Sequence, residues 1–238
     1  MKTRILMNSI KIGITDCARY GNYERWMLDA PEKVDPIRLS YHLSNLDDIE
    51  KCHGLILSGG EDVDPRRYKR PDLSGRIELT DIDEKRDDFE IEIIKYALQL
   101  KLPILAICRG VDQRHDVFVR DGAFLKEITG CLKGAVNSAH HQCIEKVGAN
   151  LAVVAKAEES VIEAIEWKAP CENPYFLGVQ WHPERMVDQT SPFSCNIRQA
   201  FLDSSIKYEE RILSSENDIN HKIELQDIDE IENKPPLT

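Results

Sequence analysis

Leu102-Pro103-Ile104-Leu105-Ala106-Ile107-Cys108-Arg109-Gly110 is the stretch that decides the fold. Pro103 can open a strand but not continue one, and the apolar run after it reads as a buried strand. The run stops at Cys108 against Arg-Gly, with small Ala106 two residues before the cysteine and Gly110 two after. That pattern predicts a tight turn from strand into helix, lifting the cysteine above the sheet edge as in a nucleophile elbow. The first N–H groups of such a helix would favour thiolate. Taken alone, the residue reads more simply as a small buried hydrophobe at a strand end.

Upstream, Glu84 to Leu100 has helical spacing, with Phe89, Ile93, Tyr96 and Leu100 on one stripe and Asp87 and Asp88 in the first turns. Before it, Gly54-Leu55-Ile56-Leu57-Ser58 has a buried-strand pattern closed by Gly59-Gly60, and a polar loop follows from 61 to about 83. Residues 10–15 read as a first strand, 22–28 as a short helix and 45–50 as a brief one. Residues 34–39 read as a weak strand whose Pro36 assigns it to an edge. Strand and helix in alternation predict a parallel sheet with helices on both faces. Sites in such sheets lie at the carboxyl ends of strands, which puts Gly59-Gly60 and Cys108 in one crevice. Downstream, 151–155 and 161–167 resemble antiparallel strands with one wet face. Residues 176–181 form another buried strand that delivers His182-Pro183-Glu184, and 193–213 has the spacing of a long helix.

The chain has 238 residues and a net charge of -11. That balance argues against nucleic acid or anionic lipid as a partner, and no stretch approaches the length of a membrane span. Met1 to Met7 lacks the apolar core of a secretory signal. The seven cysteines are scattered without a C-x-x-C pair, the usage of a reducing cytoplasm. Residues 1–213 are expected to form one domain. Residues 214–238, acidic through 218–229 and ending in Pro235-Pro236, are expected to be a solvated or partly disordered tail, or a partner-binding arm.

A cysteine nucleophile needs a base, and the base needs a group to orient it. His182 ends a strand and Glu184 lies two residues on. In an extended His-Pro-Glu, side chains i and i+2 share a side, so the carboxylate can reach the imidazole. Gly59-Gly60 reads either as a turn needing positive φ or as an oxyanion hole, where a glycine lets backbone N–H groups approach a developing charge. The N–H of Arg109 would be a second donor. Asp62 and Asp64 could hold a substrate amine, although simple solvation of exposed loop acids is the plainer reading.

Four motifs occur in order: Leu57-Ser58-Gly59-Gly60-Glu61-Asp62-Val63-Asp64-Pro65, Ile107-Cys108-Arg109-Gly110, Asn137-Ser138-Ala139-His140-His141-Gln142, and Gly178-Val179-Gln180-Trp181-His182-Pro183-Glu184. Together they resemble the class I glutamine amidotransferase superfamily, and within it the γ-glutamyl hydrolase branch, over roughly residues 10 to 202. The resemblance implies an α/β, flavodoxin-like three-layer fold with a central, mostly parallel sheet and an antiparallel extension in the second half. It also implies a small γ-glutamyl amide substrate and no cofactor. Carried over, Cys108 is the nucleophile that forms a γ-glutamyl thioester, His182 the base then acid, Glu184 its orienter, and Gly60 with Arg109 the oxyanion donors beside Gly59. Gln113, His140, His141 and Gln142 are the implied substrate contacts. Adjacent histidines in an extended segment point opposite ways and no third ligand is placed, so no metal is expected.

The chain departs from the family at several points. Ala106 stands where a glycine is usual. Gln113 is one place late, a rotation of about 100° on a helix, and Arg114, His115 and Asp116 interrupt the helix expected there. The segment from Ile128 to Asn137 is short. Two rival readings follow: a glutaminase subunit feeding ammonia to a partner synthetase, and a scaffold that kept the fold without the chemistry. A homodimer is compatible with either.

Overall fold

The computed structural model describes residues 9–73, 82–108, 113–138, 142–158 and 160–232. In chain order they form β1 (Ile10–Thr15), α1 (Tyr20–Leu28), β2 (Val34–Leu39), β3 (Gly54–Leu57), α2 (Glu84–Leu100), β4 (Ile104–Ile107) and β5 (Gln113–Val119). There follow α3 (Phe124–Thr129), β6 (Lys133–Ser138), β7 (Leu151–Ala157), β8 (Ile162–Trp167), β9 (Phe176–Val179) and α4 (Cys195–Glu232). The strands make one sheet in the order β2-β1-β3-β4-β9-β8-β7-β5-β6. Pairing is parallel from β2 through β9 and antiparallel from β9 to β6. This is the expected α/β architecture, with β2 and its Pro36 on the edge.

The three layers follow from side-chain alternation. Leu55 and Ile56 are both fully buried although they point to opposite faces. Leu55 packs in the cluster that holds Ile93 and Ala97 of α2. Ile56 packs with Trp26 and Met27 of α1 and Phe201 of α4. Each such burial contributes about 1.5–3 kcal/mol, so a strand covered on both faces reads as a continuous apolar run. Helix α2 starts where Asp83 caps it, accepting from the N–H groups of Lys85 and Arg86 at 3.1 and 3.0 Å.

Two expectations change. A helix is expected after Cys108, but β5 begins at Gln113. Val117 and Val119 are buried while Phe118 between them is 41% exposed, the two-residue period of a strand. With β6 on one side and β7 on the other, sheet pairing overrides the helical reading, and the next described element offers no helix dipole to favour thiolate. At the other end, α4 runs unbroken across position 213 to Glu232. Among the described residues, no helix is long and apolar enough to cross a membrane.

Candidate active site

At the end of β3 the chain is pinned before it turns. Ser58 N–H donates to Thr15 Oγ1 at 2.9 Å, and Ser58 Oγ donates to the Thr15 carbonyl at 2.7 Å. Gly59 N–H then donates to the hydroxyl of buried Tyr23 at 2.9 Å, so that N–H is not available to an oxyanion. What Gly59 provides is closeness: a Cβ there would lie 1.8 Å from the Cys108 carbonyl oxygen and 2.9 Å from His182 Cε1. Gly60 has φ +148, and a Cβ on it would sit 2.1 Å from Arg86 Nη1. Only glycine fits both demands.

Arg86, 4% exposed, holds this turn from below. Its Nη2 donates to the carbonyls of Ser58 and Gly59 at 2.8 and 3.0 Å, and the guanidinium pairs with Glu61 and Glu90. Burial works against the charge, but Glu90 and Glu61 outweigh it and hold the guanidinium above its ordinary range. Burial, with the Glu184 charge beside it, pushes the Tyr23 hydroxyl far up, so it stays protonated.

The parallel ladder between β4 and β9 sets Ile107 opposite Val179. One step on, Cys108 N–H donates to the Val179 carbonyl at 3.0 Å, which places Cys108 beside Gln180. The Gln180 Nε2 donates to Cys108 Sγ, and lies 3.4 Å from the Gln142 carbonyl. Two residues later His182 is 2% exposed. Its Nδ1 is 2.8 Å from Glu184 Oε1, while its Nε2 is buried with no hydrogen-bond partner among the described residues. An extended His-Pro-Glu is the sequence expectation, but Pro183 instead opens a 3-10 turn, Pro183–Arg185. The turn carries the carboxylate to the ring. The backbone of His182 is clamped on both sides by the Asn137 carboxamide, whose Oδ1 accepts from its N–H and whose Nδ2 donates to its carbonyl, each at 3.0 Å.

Cys108 and Gln180 lie on the floor of a cavity of about 720 Å³. One wall comes from the loop carrying Val63, Tyr68 and Arg70, the other from Gln142 to Lys146. Gln142 staples the walls together. Its Oε1 accepts from Val63 N–H at 3.1 Å, and its Nε2 donates to the Val63 carbonyl at 3.0 Å and lies 3.2 Å from Tyr68 Oη. Asp62 and Asp64 are not exposed loop acids; they are 4% and 3% exposed. The loop folds back on α2, where Asp64 N–H donates to Asp87 at 3.0 Å. Hydrogen bonds from the Arg66 side chain and backbone hold the Asp64 carboxyl below its usual range. Arg109, His140 and His141 lie outside the described residues, as does the side chain of Gln113. Among the described residues, no group of three or more His, Cys, Asp or Glu is placed to hold a metal ion.

Tyr23, Arg86, Asn137 and Gln180 are supports that the sequence reading missed. Arg86 left a signal, since it sits three and seven residues before Phe89 and Ile93, as a charge on an apolar stripe. Gln180 left one too, being two residues before His182 and so on its side of the strand. Nothing in the sequence singles out Tyr23, and nothing shows that Asn137 grips a segment 45 residues away.

The peptidase C26 family model matches residues 42–113 and 111–184, two pieces that meet where β5 begins. A glutamine amidotransferase of Schizosaccharomyces pombe is 32% identical, over 64% of this chain and 69% of its own length. A γ-glutamyl-CDP-amidate hydrolase of Campylobacter jejuni is 29% identical, over 66% of this chain and 74% of its own. Among solved structures, a GMP synthase subunit from Thermoplasma acidophilum has a TM-score of 0.63 at 17% identity. It covers 86% of this chain and 98% of its own, a likeness of fold.

Proposed function

The chain belongs to the peptidase C26 family, a hydrolase of the glutamine amidotransferase-like type, and from that footing we propose that it cleaves γ-glutamyl amides through a thioester on Cys108. In the first half-reaction Cys108 Sγ attacks the γ-carbonyl carbon and the thiol proton passes to His182 Nε2. The oxyanion is met by the N–H groups of Gly60 and Arg109. Collapse breaks the C–N bond, and His182 returns its proton to the leaving amine. In the second half-reaction water loses a proton to His182, attacks the thioester, and releases glutamate and the thiol. Glu184 holds the ring in the tautomer with Nε2 free and balances the imidazolium.

One observation supports this reading above the others. The imidazole nitrogen that would work on the sulfur is the buried one, unpartnered among the described residues. The glycine in contact with its ring is also packed on the Cys108 carbonyl. A scaffold has no reason to keep a desolvated imidazole nitrogen in that place.

The cavity supports a leaving amine larger than ammonia. At about 720 Å³ it is in the range that encloses a drug-sized ligand. A glutaminase feeding a synthetase releases ammonia alone and would leave most of that space unfilled. The test is glutamate release from glutamine and from a panel of γ-glutamyl amines, by the parent and by Cys108→Ala. We expect turnover of at least one γ-glutamyl amine with higher kcat/KM than glutamine, and none by the alanine variant. Release that survives Cys108→Ala overturns the mechanism. Preference for glutamine, appearing only with a copurified partner, would favour the synthetase reading.

A further inference from the structure

We propose that Gln180 is a positioning residue for the nucleophile: its carboxamide N–H holds the Cys108 sulfur on the cavity side and favours the thiolate that forms when His182 takes the thiol proton. This rests on the reading of Cys108 as nucleophile. Gln180 Nε2 donates to Cys108 Sγ, and His182 Nε2 has no hydrogen-bond partner among the described residues. The arrangement is built into the sheet. Residues 107 and 179 are paired across parallel strands, so the next residues, Cys108 and Gln180, emerge side by side. Gln180 is itself fixed, 9% exposed, with its N–H donating to the Glu163 carbonyl at 2.8 Å.

A carboxamide suits this task. Its N–H strengthens as a donor when the acceptor is charged, and it cannot take the thiol proton, so it leaves that role to His182. Gln180 and His182 stand two positions apart just past β9, and a Cβ on Gly59 would meet both the Cys108 carbonyl and the His182 ring. Among the described residues, the other charged or titratable groups around the sulfur are His182 with Glu184 behind it, and Tyr68, Arg70, Cys143, Glu145 and Lys146 on the cavity walls. Replacing Gln180 alters none of them.

The experiment is alkylation by iodoacetamide as a function of pH, read at the Cys108 peptide by mass spectrometry, with exposed Cys143 as the internal reference. In Gln180→Leu we expect the Cys108 profile to move up by about one pH unit. The rate at pH 7 would then fall about tenfold, with the high-pH plateau kept, because a hydrogen bond to a charged group is lost. Gln180→Glu should move it further, and the leucine shift should persist in a His182→Ala background. A merely structural role would lower the plateau without moving the midpoint. A Gln180→Leu profile that superimposes on the parent overturns the assignment while leaving the nucleophile in place. A parent Cys108 that alkylates no faster than Cys143 at pH 7 overturns both.

Discussion

Replacing Arg86 with methionine keeps most of the side-chain volume and removes the charge, and the cost can be worked out from what it touches. The carbonyls of Ser58 and Gly59 lose donors at 2.8 and 3.0 Å. A buried acceptor left without a donor costs about 1–3 kcal/mol. Glu61 and Glu90, 25% and 12% exposed, lose their cation but recover part of that loss by rewetting. The net is about 3–5 kcal/mol, the usual range for breaking a buried ion pair from one side. In a chain of this length that is a fall of roughly 10 °C in Tm. The same guanidinium holds the Gly59-Gly60 turn against Cys108, so kcat should drop by about 100-fold, as a displacement of about 1 Å at a reacting centre does. Arg86→Lys keeps the charge with one nitrogen in place of three, and should fall between. Urea denaturation followed by circular dichroism gives the stability, and steady-state kinetics the rate. A methionine variant within about 1 kcal/mol of the parent, or with unchanged kcat, would refute the reasoning.

Other outcomes follow from neighbouring contacts. Asn137→Ala removes both hydrogen bonds on the His182 backbone; we expect about 2 kcal/mol of lost stability and a kcat reduced more than KM is raised, while Asn137→Asp, which keeps the acceptor but sets a carboxylate oxygen against the His182 carbonyl, should lose at least as much. Burial pushes the Cys52 thiol up from its ordinary 9.0 to about 12. The folded thiol therefore keeps a proton that the unfolded one loses, and stability present below pH 9 should fall as pH rises toward 12. Between pH 8 and 10 the parent should lose about 1 kcal/mol more than Cys52→Ala, measured by urea denaturation at each pH; equal losses would show that this thiol is not the cause.

How far the site was legible depended on the range of the interactions that build it. The strand patterns of 54–57 and 104–107 and the helix Glu84–Leu100 were readable because a short apolar run, and an apolar stripe with acids in its first turns, are local features. The pairing of Glu184 with His182 was readable because they are two positions apart, although a 3-10 turn, not an extended segment, brings them together. The helix expected after Cys108 failed for the opposite reason. Gln113 to Val119 is a strand because β6 and β7 offer it hydrogen bonds on both edges, and no short window contains those partners.

The alternating α/β order, the edge position of β2 and the motifs that end the strands were all written in the order of residues, since periodicity and turn chemistry act over a few positions. Folding in three dimensions was needed to bring Tyr23 to the Gly59 N–H, Arg86 to the Ser58 and Gly59 carbonyls, Asn137 to the His182 backbone, and Gln180 to the Cys108 sulfur. These are contacts between groups far apart along the chain. They exist because a sheet sets its strands side by side about 4.8 Å apart, whatever their separation in sequence.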